Sequence, residues 1–347
     1  MTHKLALIGF GTVGQGLTRI LRDRRTQLQK DHDFEFEILA VSDFLKGSVY
    51  CEAGLDLDHL LELVQSGISL SRYSRGRGPC HTGWDALKTI RESDATIVCE
   101  LTYTDIRTGE PATTHIKEAL SSGKHVATSN KGPPALAYAE LSRLAERSGV
   151  QFFMEGTVMS GTPVLSLATQ HLAGSTVSAI SGILNGTTNF ILTEMEKGIR
   201  YDETLKKAQE LGYAEADPTS DVEGLDALAK VAILANVIMG ENLRPEDIPV
   251  QGISQLTLEK IEAAKSEGKR WKLLGEVRKA GGKVEASVAP QKVDLSHPLA
   301  DISGPTNAIT FTTEFLGEVT VIGPGAGKEA TGFAVLSDLL EIHRRST

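Results

Sequence analysis

The sequence has no long hydrophobic run and no excess of positive charge. None of its uninterrupted apolar stretches approaches the ~20 residues that a membrane-spanning helix needs. Its 36 Lys and Arg stand against 45 Asp and Glu, so the net charge is −9. A surface that binds nucleic acid or an anionic membrane is disfavoured for a chain with this balance. We therefore expect no nucleic-acid partner and no membrane partner.

Cysteine is also scarce. Cys51, Cys80 and Cys99 are widely spaced, with no CxxC motif and no Cys/His cluster. This pattern argues against a disulfide framework and against a structural zinc site, and it favours a reducing, cytoplasmic setting. The apolar stretch at residues 5–8 is too short for a signal peptide.

The length of 347 residues, with 40% hydrophobic residues, suits two domains. In the first part, apolar runs typical of strands alternate with segments of helical periodicity, which predicts a doubly wound parallel sheet of the Rossmann type in an α/β domain. The predicted strands are residues 5–8, 37–41, 96–99 and 125–127, and the predicted helices are residues 57–64, 84–91, 112–120 and 135–147. We interpret residues 44–83 as an insertion with one helix and a surface loop at residues 71–78.

The pattern changes near residue 151 and predicts an α+β domain. The predicted elements are strands at residues 176–184 and 283–288, and helices at residues 189–197, 202–211 and 221–239. The last stretch again indicates a strand, a glycine turn and a helix, and we expect it to return to the first domain. The predicted boundaries are therefore 1–150, 151–310 and 311–347.

A GxGxxG motif, formed by Gly9, Gly11 and Gly14, follows the first predicted strand and opens the first predicted helix. Gly9 permits a sharp turn, Gly11 lets a pyrophosphate approach the backbone, and Gly14 allows close helix packing. Thr12 and Val13 belong to the first turn of that helix, whose free N–H groups attract anions. The motif predicts a bound dinucleotide.

Asp43, at the end of the second predicted strand, is positioned to accept hydrogen bonds from the adenosine ribose hydroxyls, which favours NAD. Lys46 lies three residues further on and could instead meet a 2′-phosphate, so NADP remains open. A third reading makes Asp43 an ordinary turn residue.

Residues 212–230 form an acidic loop followed by the start of a helix. Ser220 and Glu223 have the spacing of a capping box. Asp226 and Lys230 are four residues apart and share one helix face. The helix then continues apolar nearly all round, which is typical of a buried helix, so charges in its first turns indicate a water-containing cleft. An exposed ion pair is the alternative.

These motifs resemble the homoserine dehydrogenase family. The matching segments run from the first strand to the last helix and include the glycine loop and residues 128–131, 182–192, 212–230 and 323–341. The resemblance implies a nucleotide-binding domain completed by the C-terminal helix, and a domain that binds substrate and forms a homodimer. It also implies NAD or NADP as cofactor, and L-aspartate 4-semialdehyde and L-homoserine as substrates.

The resemblance also implies roles for individual residues. Lys230 would handle the proton at the alcohol or carbonyl oxygen, and Lys131 would lie near nicotinamide and substrate. The implied catalytic residues are Lys230, Lys131 and Asp226, the substrate-binding residues are Glu215, Asp226, Lys230 and Thr187, and further cofactor contacts are Thr102, Ser129, Lys131 and Gly327.

Residues 155–162 resemble the family's turn that holds Na⁺ or K⁺ through backbone carbonyls. The implied ligands are Glu155, Val158, Ser160 and Thr162, and a glycine-rich junction turn without an ion is the alternative. We find no counterpart of the family's C-terminal regulatory module, so we expect activity that is insensitive to threonine. A dehydrogenase for another amino-acid aldehyde, or a dinucleotide sensor without activity, would not need the charged residues of the buried helix.

Overall fold

The chain divides into two units in a computed structural model that describes residues 2–76 and 78–346. The first unit is Met1–Gly161 with Gly327–Thr347, and the second is Thr162–Ala326. Arg77, in the loop predicted at residues 71–78, lies outside the described residues.

The helices and strands follow in chain order. Up to residue 161 they are β1 (Thr2–Ile8), α1 (Thr12–His32), β2 (Glu35–Asp43), β3 (Gly47–Cys51), α2 (Leu57–Gln65), β4 (Cys80–Thr82), α3 (Ala86–Glu92), β5 (Ile97–Glu100), α4 (Ala112–Ser121), β6 (His125–Thr128), α5 (Gly132–Ser148) and β7 (Phe152–Phe153). Then come β8 (Val177–Ile183), α6 (Gly186–Met195), α7 (Tyr201–Glu210), α8 (Thr219–Val222), α9 (Leu225–Ile238), α10 (Leu258–Ser266), β9 (Lys269–Ala280), β10 (Lys283–Asp294), β11 (Thr306–Thr313), β12 (Gly317–Pro324) and α11 (Lys328–Ser346).

The first unit contains a seven-stranded sheet in the order β4-β3-β2-β1-β5-β6-β7. The five strands from β2 to β7 are parallel, and helices cover both faces. One core packs α1, α2 and α11 against the sheet, and a second core packs α3, α4 and α5 against the other face. The predicted doubly wound α/β domain is confirmed.

The insertion at residues 44–83 differs from its prediction. It contributes two strands as well as α2, because β3 pairs antiparallel with β2, and β4 with β3, to extend the sheet. This pairing places Cys51 directly opposite Cys80, and the two form a disulfide. The expectation that the cysteines form no disulfide is therefore wrong. The argument from cysteine for a reducing compartment loses its support.

The second unit is built on a five-stranded antiparallel sheet in the order β10-β9-β8-β11-β12. α9 is buried from Ala227 to Asn236, as its apolar sequence predicts. The α+β character of this part is as expected. Among the helices that the structure describes, none combines the length and hydropathy needed to cross a membrane.

The C-terminal stretch follows its prediction only in part. Strand β12 pairs antiparallel with β11 in the second unit, so the expected return of this strand to the first sheet is wrong. The helix α11 does pack against α1 in the first unit. Gly16 and Gly332 make this close approach possible, because a Cβ on either would come within 2.6 Å of backbone atoms of the other helix.

The helix predicted at residues 221–239 is two helices. α8 ends at Val222, and Gly224 (φ 79°) precedes α9 in a left-handed conformation. The predicted capping box of Ser220 and Glu223 is absent, since Glu223 lies at the C-terminal end of α8. The chain turns here because glycine adopts a positive φ without steric penalty.

Candidate active site

The glycine loop joins β1 to α1 at the carboxyl edge of the parallel sheet. Gly9 has φ 95°, and a Cβ there would lie 2.5 Å from the Leu101 carbonyl oxygen. A Cβ on Gly14 would lie 2.7 Å from the Gly9 carbonyl oxygen. Both positions therefore require glycine for the protein's own packing, as predicted.

Gly11 is different, because the protein itself does not require glycine there. Its φ is −76°, and a Cβ would meet no atom within 4 Å among the described residues. Thr12 beside it is exposed, Val13 is half-buried, and the first turn of α1 carries no acidic side chain. This open, uncharged helix N-terminus is a cradle that a Cβ would partly fill, and it fits the pyrophosphate of a dinucleotide.

Asp43 is tied to the same loop. Its Oδ2 accepts a hydrogen bond from Phe10 N at 2.7 Å, and its Oδ1 accepts from Leu45 N at 3.0 Å and Lys46 N at 2.9 Å. The Lys46 Nζ lies 3.7 Å from Asp43 Oδ1. The carboxylate thus holds the glycine loop and the following turn together. Oδ2 accepts a single hydrogen bond and so retains a lone pair for a ribose hydroxyl.

The ends of β5 and β6 lie side by side and carry the other predicted cofactor residues of this edge. The Thr102 hydroxyl donates to the buried Glu100 carboxylate. The amide of Asn130, between half-buried Ser129 and Lys131, donates to the carbonyl oxygens of Thr102 and Tyr103 at 3.2 and 3.0 Å. Gly327 is not in this group; it is exposed, with φ 142°, just before α11.

In the second unit, Lys230 and Asp226 meet as their spacing predicts. The Lys230 Nζ donates to Asp226 Oδ2 at 2.7 Å and to the Leu184 carbonyl oxygen at 2.6 Å. The Lys230 side chain is 8% exposed and that of Asp226 18%, so the alternative of an exposed ion pair is excluded. Among the described residues, these two acceptors use two of the three ammonium protons.

Two residues that the sequence analysis did not select complete this group. The Asn185 amide donates to Asp221 Oδ1 at 2.7 Å and to Asp226 Oδ2 at 3.0 Å. Burial raises the pKa of Asp221 and the nearby negative charge of Asp226 adds to the rise, while the hydrogen bond from Asn185 opposes it. Asn185 could have been selected from the sequence, because asparagine is a preferred N-cap residue and Asn185 directly precedes α6.

Thr187 and Glu215 are related through the loop that follows α7. The buried Thr187 donates its hydroxyl to the Tyr213 carbonyl oxygen at 2.6 Å. Glu215 follows two residues later and is exposed. Within the described part of the chain, no hydrogen bond or ion pair of its side chain joins it to Asp226 or Lys230.

The turn predicted to hold a monovalent cation bends sharply at Ser160, whose φ is 52°. Glu155 N donates to Asp338 Oδ2 at 3.1 Å, and the Ser160 hydroxyl bonds that of Thr331 at 2.8 Å. Val158 is fully buried. Thr162 belongs to the second unit, where its hydroxyl donates to the Pro324 carbonyl oxygen at 3.0 Å.

Comparison with known proteins agrees with this geometry. The profile of the homoserine dehydrogenase family matches residues 163–340, and the profile of its NAD-binding domain matches residues 9–155. The NAD(+)-dependent homoserine dehydrogenase of Pseudomonas canavaninivorans is 47% identical over 99% of this chain and 97% of its own length.

The chain belongs to the homoserine dehydrogenase family.

Two further members support the assignment. The homoserine dehydrogenase of Methanocaldococcus jannaschii is 41% identical over 98% of each chain. The solved structure of a hyperthermophilic archaeal homoserine dehydrogenase in complex with NADPH superposes with a TM-score of 0.83 at 30% identity, covering 99% of this chain and 98% of that one. The cofactor of this homoserine dehydrogenase chain is accordingly NAD or NADP.

Proposed function

We propose that this chain catalyses the reversible, NAD(P)-dependent reduction of L-aspartate 4-semialdehyde to L-homoserine. The observation that carries the proposal is the buried ammonium of Lys230, held by Asp226 and the Leu184 carbonyl oxygen at the start of an otherwise apolar helix. Removing a charge from water costs free energy of folding. Buried charged groups of this kind are therefore concentrated at functional sites.

The first unit would bind the dinucleotide. Gly11 and the N–H groups of α1 would face the pyrophosphate, and Asp43 would accept from the adenosine ribose. Thr102, Ser129, Lys131 and Gly327 would make the remaining contacts. When bound, the nicotinamide supplies or accepts the hydride.

Lys230 would act at the reacting oxygen. Negative charge develops on the aldehyde oxygen as it is reduced, and an ammonium in a low-dielectric site stabilises that charge and donates a proton. Asp226 keeps Lys230 oriented, since its Oδ2 accepts from Nζ at 2.7 Å. Lys131 would give additional positive charge.

The acidic residues would recognise the amino group of the substrate. Asp221 and Asp226 lie within one hydrogen-bonded group, and Glu215 lies in the exposed loop before α8. Carboxylates are the natural acceptors for the α-ammonium of homoserine. Thr187, at the start of α6, would line the same pocket.

The direct test is a spectrophotometric assay with L-homoserine and either NAD or NADP, monitored at the absorbance of the reduced nicotinamide. We expect turnover with at least one cofactor and little with alcohols that lack the α-ammonium. No turnover with either cofactor, or equal turnover with another amino-acid alcohol, would refute the proposal.

We also propose that the enzyme is a homodimer formed through the second unit. β12 is an edge strand of the five-stranded sheet, and Ile322 on it is 56% exposed. Open sheet edges promote aggregation, and pairing between subunits removes the exposed edge. Light scattering should give twice the chain mass of 37.2 kDa, whereas a fully active monomer would contradict this proposal.

The backbone carbonyls of Glu155, Val158, Ser160 and Thr162 remain our candidates for Na⁺ or K⁺. The left-handed Ser160 supports the idea, because a φ of 52° turns the chain sharply within a short stretch. Exchange into a tetramethylammonium buffer should lower the thermal stability of the protein, and added K⁺ or Na⁺ should restore it. Identical thermal unfolding in all three buffers would contradict the proposed cation site.

A further inference from the structure

Asn185 lies between two carboxylates and is almost completely buried. It is 5% exposed, and its amide nitrogen donates to Asp221 Oδ1 at 2.7 Å and to Asp226 Oδ2 at 3.0 Å. An amide nitrogen has two protons, so both are used in these two bonds. Asn185 therefore links the acidic residue of α8 to the Asp226–Lys230 pair of α9.

The orientation of this amide follows from its other end. The Asn185 Oδ1 accepts from Thr188 N at 2.9 Å and lies 3.0 Å from the Thr188 hydroxyl, as the N-cap of α6. The helix cap requires an acceptor, so the oxygen faces Thr188 and the nitrogen faces the carboxylates. The amide is anchored to the start of α6 and points rigidly at both acids.

We propose that Asn185 is a positioning residue for the reaction: it holds Asp221 and Asp226 side by side in their ionised forms and so fixes the Asp226 oxygen that orients Lys230. This inference rests on the proposed function. Asp226 Oδ2 accepts from both the Asn185 amide and the Lys230 Nζ, at 3.0 and 2.7 Å. Loss of one donor would let this oxygen, and the ammonium with it, move away from the productive geometry.

The charges around the two acids explain why a donor is needed. Asp221 faces Asp226 and Lys230 of α9, and it faces Asn185 and Thr187 from the start of α6. Two neighbouring carboxylates repel each other, and each then tends to take up a proton. The neutral amide donates to both without adding a charge.

Two substitutions separate positioning from folding. N185S keeps an acceptor at the N-cap and removes the two amide donors, while N185D keeps the cap and the shape but puts an oxygen against both carboxylates. We expect N185S to lower kcat/KM for homoserine about 10- to 100-fold, the usual effect of lost hydrogen bonds to charged groups, with little change in KM for the nicotinamide cofactor.

The pH dependence gives a signature that a structural role would not give. In N185S the acid limb of the kcat/KM profile should move to higher pH, because the carboxylates lose donors that favour the charged form. N185D should lose more activity, and the ratio of its activity to wild type should rise as the pH falls, since the introduced carboxyl group can donate again once it is protonated. N236S is the matched control: Asn236 is a buried asparagine of α9 that bonds the Leu243 backbone, so its loss should leave the pH profile unchanged.

An Asp-selective ¹³C-carboxyl titration by NMR tests the same point without any activity. We expect the carboxyl pKa values of Asp221 and Asp226 to rise in N185S relative to wild type. If wild type lacks homoserine turnover but these values rise, the proposed function fails and the carboxylate frame stands. If wild type is active but N185S has an unchanged pH profile and unchanged carboxyl titrations, the role of Asn185 is refuted.

Discussion

Lys230 donates to Asp226 from the next turn of the same helix, over 2.7 Å, with both side chains shielded from solvent. A pair with this spacing on a surface helix contributes ~0.3–0.5 kcal/mol. Here the pair is at the start of a helix that is buried from Ala227 to Asn236. The low dielectric constant of such a site strengthens the attraction between the two charges. The predictions for the reaction begin from this pair.

Replacement of Lys230 by Met should lower kcat by about 10²–10³, because the group that stabilises the anionic oxygen is lost. Binding of the nicotinamide cofactor should change little. K272M is a matched control, since Lys272 is also a buried lysine of the second unit, bonded to Asn189 and the Ile302 carbonyl. Steady-state kinetics should show loss of kcat in K230M but not in K272M. Denaturant unfolding should show that K272M has lost stability. Near-normal turnover of K230M would remove Lys230 from the mechanism.

Glu215 is exposed, so E215Q should leave the stability of the fold unchanged. If its carboxylate binds the substrate ammonium, KM for homoserine should rise about tenfold or more while the affinity for NAD(P) stays the same. E210Q, at the exposed end of α7, serves as the control. An equal loss of cofactor affinity in E215Q would contradict the assignment.

Gly11 and Gly9 should respond to alanine in opposite ways. G11A meets open space at φ −76°, so the free energy of unfolding should stay within about 1 kcal/mol of wild type. Its cofactor affinity should fall on the order of tenfold, because the methyl group occupies the place of the pyrophosphate. G9A should destabilise the first unit, since φ 95° and the Leu101 backbone leave no room. Denaturant unfolding and cofactor titration measure both effects, and unchanged cofactor binding in G11A would place the pyrophosphate elsewhere.

His3 should make the fold sensitive to acid. Burial, together with the nearby His343, lowers the pKa of His3 from 6.5 to about 4. The folded state therefore favours the neutral ring. The contribution of His3 to the free energy of unfolding is fully present above pH 6.5 and is lost as the pH falls towards 4. The loss should be on the order of 3 kcal/mol. Thermal unfolding between pH 7 and pH 4 should show a steeper decline for wild type than for H3F, with exposed H32Q as control. Parallel curves for wild type and H3F would show that His3 is not the cause of the acid sensitivity.

The Cys51–Cys80 disulfide should stabilise the first unit. It closes a loop across 29 residues, which corresponds to about 3–4 kcal/mol in the chain-entropy treatment. Urea unfolding with and without a dithiol reductant should show a drop of this size for wild type. The C51S/C80S double variant should unfold like reduced wild type and should not respond to the reductant. A wild type that ignores the reductant, with three titratable thiols in the unfolded protein from the start, would show that the bond does not form.

The local features of this protein were predictable from residues close together in the chain. The glycine loop follows from the spacing of Gly9, Gly11 and Gly14, and the doubly wound sheet follows from the alternation of strands and helices. The contact between Asp226 and Lys230 follows from the helical repeat. The three glycines lie close together in the chain, and Asp226 and Lys230 lie one helical turn apart, so these patterns report the geometry directly. The alternation of strands and helices indicates the class of fold but not the individual strand pairs.

Long-range pairing decided the remaining features. Cys51 meets Cys80 because β3 pairs with β4, and β12 joins the second sheet because it pairs with β11. Asn185 reaches Asp221 and Asp226 across 36 and 41 residues. Such contacts depend on which hydrophobic faces pack together across the whole chain, and no local spacing encodes that choice. The pair that we propose as catalytic, Asp226 and Lys230, was therefore visible in the sequence, whereas Asn185, which bonds Asp221 and Asp226, became visible only in the fold.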